Sequence, residues 1–142
     1  MTAVATAQPA GSSDIPARRL LPVLLDEDNK IVRSMQLVGI PRVAAAVLVA
    51  MDRYAGNEPV DTRWLEWVAY LRQPEVSKAT QWLISEKVLD FRIAERAIKG
   101  RPLHTYWISR VLGCYIQDKI DQQRNEFAAS VADLQNHWPD VH

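Results

Sequence analysis

The chain is expected to fold as a mainly α-helical domain with one small β-hairpin, and three observations point there. Val43 to Met51 is apolar on nearly every face, as in a helix enclosed by other helices. A helix-patterned tract beginning at Pro74 is followed by two runs rich in β-branched and aromatic residues, Val88 to Ala94 and Leu103 to Ile108, separated by a polar, basic, glycine-containing segment. From about Ser109 to Trp138, Leu112, Ile116, Ile120, Phe127, Val131, Leu134 and Trp138 recur at helical spacing, with no Gly or Pro after Gly113 to interrupt them.

Length and composition fit one domain with an appended element: 142 residues, 48% of them hydrophobic, are enough for one core. Formal net charge is zero, so global charge does not advertise a polyanionic partner. Its distribution is more informative. From Arg72 to Arg110 eight basic residues face four acidic ones, whereas the stretch from Val111 to His142 has two basic and five acidic. The single cysteine, Cys114, excludes an intramolecular disulfide and fits a reducing compartment. No HExxH or CxxC spacing occurs, so no metal or other cofactor is expected. Neither a secretory signal nor an apolar run long enough for a membrane span is present, and a cytoplasmic protein without membrane attachment is expected.

Taken in order, residues 1–15 are poor in large apolar side chains and are expected to form a disordered tail. A short helical tract, Leu20 to Leu25 interrupted by Pro22, precedes a helix from Asp26–Asp28 to about Val38, its acids favoured near the positive helix N-terminus; Gly39 ends it. Pro41 suits the first turn of the central helix, which Gly56 and Asn57 close, and Glu58 to Val60 forms an extended connector. Asp61 can cap the next helix, in which Trp64, Trp67, Val68 and Leu71 form a buried stripe. After a turn at Arg72, the helix from Pro74 places Val76, Ala79, Thr80, Leu83 and Lys87 on one face and Lys78, Gln81 and Ser85 on the other, with Ser77 at the edge.

The Gln73-Pro74-Glu75-Val76-Ser77 turn, with Leu83 and Val88 closing the core, resembles the PxVSxxxxxL pattern of winged helix-turn-helix regulators. The likeness extends over about Ile40 to Ser109. Leu71 to Ser77 (LRQPEVS) and Gly100 to Pro102 (GRP) resemble a group of small archaeal predicted transcriptional regulators. Thr80 departs from the pattern, which usually has a bulkier apolar residue there; it either packs less fully or hydrogen-bonds backward into its helix. The resemblance implies a homodimeric transcription factor that binds double-stranded DNA. Together with the composition of the N-terminus and the period of the last helix, it divides the chain into a tail (1–15), a winged helix domain with an N-terminal helical extension (16–109) and a long C-terminal dimerisation helix (110–138).

The chemistry of the outward residues suits that role. Gln73 and Gln81 can offer a paired donor and acceptor to adenine, Lys78 can reach guanine or phosphate, and Ser77 suits a phosphate oxygen or a close base edge. Glu75 fits two roles, accepting from cytosine or complementing the helix N-terminus. Arg72, in the turn, is expected on the phosphate backbone. In the hairpin, Arg96, Lys99 and Arg101 surround a glycine, and Arg101 before Pro102 resembles the element that lays arginine in a narrow minor groove. Leu112, Ile116, Ile120, Phe127, Val131 and Leu134 are expected to pack against a second subunit.

No activated nucleophile or phosphate-binding glycine loop is visible, so an enzyme is not expected. Cys114 reads as a small packed hydrophobe and His104 as a packed or wing-stabilising residue. The alternative to a DNA-binding regulator is a winged helix protein–protein interaction module without direct DNA contact, and Trp82 on the flank of the third helix favours it. Nothing in the pattern indicates whether a small-molecule effector binds.

Overall fold

The computed structural model describes residues 24–98 and 101–142, without the side chains of 95–98, 101 and 102. The expected tail, the tract Leu20 to Val23, and Lys99 and Gly100 lie outside the described residues.

Helix α1 (Asp26–Leu37) leads through a tight corner into the central helix α2 (Arg42–Ala50). Ala44 to Ala50 are all buried, as an all-round apolar sequence requires. The corner depends on Gly39, whose φ of +97° suits a residue without Cβ. Beyond Ala50 the chain continues as a π-helical turn, Met51–Ala55, before Gly56. This wider turn has no signature in hydrophobic spacing.

The connector is more than a linker. Val60–Asp61 forms strand β1, pairing Val60 with Tyr106 and Asp61 with Thr105 of the last strand. Asp61 also caps α3 (Thr62–Val68), its Oδ1 accepting from the Trp64 N–H at 2.8 Å. Trp64, Val68 and Leu71 are buried as expected, with Trp67 half-buried. Helix α4 (Gln73–Ser85) then leads into strands β2 (Leu89–Ile98) and β3 (Arg101–Ile108), which form an antiparallel three-stranded sheet in the order β1-β3-β2. The sequence placed a long loop between Ala94 and Leu103. Strand β2 instead extends to Ile98 and β3 begins at Arg101, with a register irregularity between Ala94 and Ile98.

Helix α5 (Leu112–His137) closes the fold. Mainly helical, with a small antiparallel sheet and a long C-terminal helix, the architecture is the winged helix class the sequence indicated. Lys87 and Cys114 also differ from expectation. Lys87 is exposed at φ +63°, because the helix has ended at Ser85 and the chain must reverse into β2. Cys114 is exposed, because about 100° per residue turns it roughly opposite the Leu112 and Ile116 side of α5.

Candidate nucleic-acid interface

Helix α4 is held by its inner face and its first turn. Val76, Ala79, Thr80 and Leu83 are buried against the core. Thr80 keeps its hydroxyl satisfied by donating to the Val76 carbonyl at 2.9 Å, which is the backward hydrogen bond open to a threonine at this position. At the N-terminus Glu75 Oε1 accepts from the Arg72 N–H at 2.9 Å, and the Glu75 carboxylate also lies 3.6 Å from Arg42 and 3.9 Å from Arg72. Glu75 is therefore engaged at the helix terminus, the second of the two roles open to it. The preceding Tyr70 takes φ +56°, uncommon for a non-glycine residue, and this reversal sets the entry of α4.

The outer face of α4 is polar. Gln73, Lys78 and Gln81 are exposed and Ser77 is half-buried. Gln81 Nε2 donates to Ser77 Oγ at 3.2 Å, so these two side chains already share an orientation. Ser85, in contrast, donates to the Trp82 carbonyl at 2.6 Å and serves its own helix. Arg72 stands almost free of the surface, its side chain 86% exposed. Trp82 is half-buried against the core, with the Lys119 ammonium 5.6 Å from its ring centre.

Arg42 was not singled out in the sequence. It opens α2, and only the packing of α2 against α4 brings it to Glu75, so no local pattern could have revealed it.

In the wing, Leu89 pairs with Ile108, Phe91 with Tyr106 and Ile93 with His104. Phe91 and Ile93 are exposed on the outer part of that face, beyond the buried Leu89 and Tyr106. His104 is exposed and stands edge-on to Tyr106 at 6.5 Å. Arg96 and Arg101 lie in the strand backbones on either side of the tip. Their side chains, with Lys99, lie outside the description.

The dimerisation candidates divide into two groups. Leu112 and Ile116 pack on the domain's own core, and Ile120 is half-buried. Between them Tyr115 is buried and donates to Glu86 Oε1 at 2.8 Å, and Lys119 Nζ reaches the same oxygen at 3.1 Å. Burial, then the hydrogen bond to Glu86, pushes the Tyr115 phenol above its ordinary range. Farther along, Phe127 and Leu134 are 71% and 47% exposed, and Val131 is half-buried.

Among the described residues no helix is long and apolar enough to cross a membrane. Neither a family model nor a curated protein matches the chain. Among solved structures, one described as a possible transcriptional regulator from Methanosarcina mazei Go1 aligns with a TM-score of 0.54, covering 75% of this chain and 88% of that chain at 14% sequence identity. At that identity the likeness is one of fold.

Proposed function

We propose that the chain is a cytoplasmic transcriptional regulator that binds double-stranded DNA as a homodimer, with α4 in the major groove and the basic β2–β3 wing in the adjacent minor groove. Residues 16–109 would form the DNA-binding domain and 110–138 the dimerisation helix. The observation that carries this reading is the division of α4: its apolar side chains are spent on the core, and Gln73, Lys78 and Gln81 face solvent with hydrogen-bonding groups. Arg72 beside them supplies a phosphate contact, and Arg42 joins it at the start of the helix. The solved neighbour's description supports a regulatory role.

A winged helix module that binds protein is the second reading, favoured by the exposed Phe91 and Ile93 on the wing. One experiment separates the two. Purified protein is titrated into mixed genomic duplex DNA across a range of salt concentrations. The regulator reading expects a mobility shift at low salt that weakens steeply as salt rises. No shift at low ionic strength would leave the protein-binding reading.

A further inference from the structure

Helix α5 is anchored along only half its length. Midway along it the Gln123 side chain reaches the domain corner, so close to Gly39 that a Cβ there would meet Nε2 at 2.8 Å. Beyond that point Phe127, Leu134 and Trp138 are exposed, Trp138 at 55%. At about 100° per residue, these three share one roughly 100° wide face with Leu112, Ile116 and Ile120. The anchored and free halves of α5 therefore carry a single stripe.

Alongside the anchored half lies an open groove of about 600 Å³ between α1 and α5. Ile31 and Met35 of α1 with Val38 just past its end form one wall, Ile116 and Ile120 of α5 the other, and Val49 of α2 also lines it. Gly113 lies at one end, where an added Cβ would meet nothing within 4 Å. The same chain thus has an apolar groove and an uncovered apolar stripe, in line along one helix.

The order of residues in the stripe says how two copies would fit. Ile120 and Phe127 are equally distant from a point between Gln123 and Arg124, as are Ile116 and Val131, and Leu112 and Leu134 match within one residue. Reversing the helix about that point lays apolar side chains on apolar side chains. We infer that α5 pairs antiparallel with α5 of a second copy, the free half of each lying in the α1–α5 groove of the other. This rests on the homodimer reading above and adds its register and its receptor.

The area agrees. Aromatic side chains bury roughly 150–250 Å² each. Two stripes seated in two grooves, counting both sides, reach the roughly 1,200–2,000 Å² of a stable interface. Such an isologous pairing closes on itself. At 1.5 Å per residue it sets the two Leu112 positions roughly 34 Å apart along the helices, about one turn of B-DNA.

The test places single cysteines in full-length protein carrying Cys114→Ser. Arg124→Cys, close to the two-fold axis, is expected to form covalent dimers with a short bismaleimide. Leu134→Cys is expected not to, since its two copies lie roughly 30 Å apart. Gly113→Leu, which adds bulk in open space at one end of the groove, is expected to weaken dimerisation at least tenfold by sedimentation equilibrium while leaving the melting temperature of the monomer unchanged or higher. Efficient Leu134→Cys crosslinking, a dimer lacking the Arg124→Cys crosslink, or wild-type dimerisation of Gly113→Leu would overturn the antiparallel groove pairing and leave a homodimer of another kind. A wild-type chain that sediments as a monomer at tens of micromolar would remove the homodimer itself.

Discussion

Asp28 shows how a residue can be read correctly in type and still be missed in role. In the sequence it is one of three acids at a helix start, and its Oδ2 does accept from the Leu25 N–H at 3.0 Å. Yet its side chain is fully buried, accepts from the Tyr54 hydroxyl at 2.7 Å and lies 3.2 Å from Arg53. The π-helical turn carries Arg53 and Tyr54, and no spacing rule connects that turn with residue 28. Burial, then the hydrogen bond to Asp28, pushes the Tyr54 phenol up to about 12. A phenol protonated more tightly in the folded state contributes stability that is intact below pH 10 and is lost as pH rises through 12. Tyr115 is shifted in the same direction. Thermal melts are therefore expected to fall from about pH 10 upward. Tyr54→Phe with Tyr115→Phe should reduce that slope, and an unchanged slope would show that neither phenol is responsible. On the outer face of α4, Lys78→Ala and Gln81→Ala should each cost roughly 1–3 kcal/mol at a cognate site, with a smaller loss on random DNA. Equal losses on both DNAs would mean that these side chains touch phosphate alone.

Among the elements, the helices were legible because burial imposes a period on the sequence, and α1, α2, α3 and α4 follow it closely. Strand β1 was not, since two residues are too few to show alternation and their pairing with β3 is tertiary. The same limit hid the junction of α4 and α5. Glu86, just past the end of α4, receives both the Tyr115 hydroxyl and the Lys119 ammonium, while Lys119 also covers Trp82. Glu86→Ala leaves the mostly buried Lys119 without its carboxylate and should destabilise the fold by about 2 kcal/mol, read by chemical denaturation. A change within a few tenths would show the cluster to be incidental. For the wing, Arg101→Ala is expected to weaken DNA binding and reduce any preference for A·T-rich flanks. Hydroxyl-radical protection of the minor groove checks this, and a pattern identical to wild type would rule out the contact.

At the scale of the whole molecule, the sequence assigns the whole apolar stripe of the long helix to packing against a second subunit. The two halves of α5 have different surroundings. Leu112 and Ile116 pack on the core, while Phe127 and Leu134 face solvent, and one uninterrupted apolar period could not distinguish these environments. Phe127→Asp, far from the core, should therefore give monomers in sedimentation equilibrium with the domain still folded. A dimer of unchanged strength would exclude the free half from the interface. On the proposed DNA-binding reading one domain alone would make few base contacts, so such monomers should lose apparent DNA affinity by orders of magnitude through effective concentration alone. The most direct measurement is selection of bound sequences from a random duplex pool by the full-length protein. The account predicts an enriched two-fold symmetric motif, with half-sites about 10 bp apart from centre to centre or a multiple of that, retained less as salt rises. Recovery of no preferred sequence, with retention indifferent to salt, would contradict it.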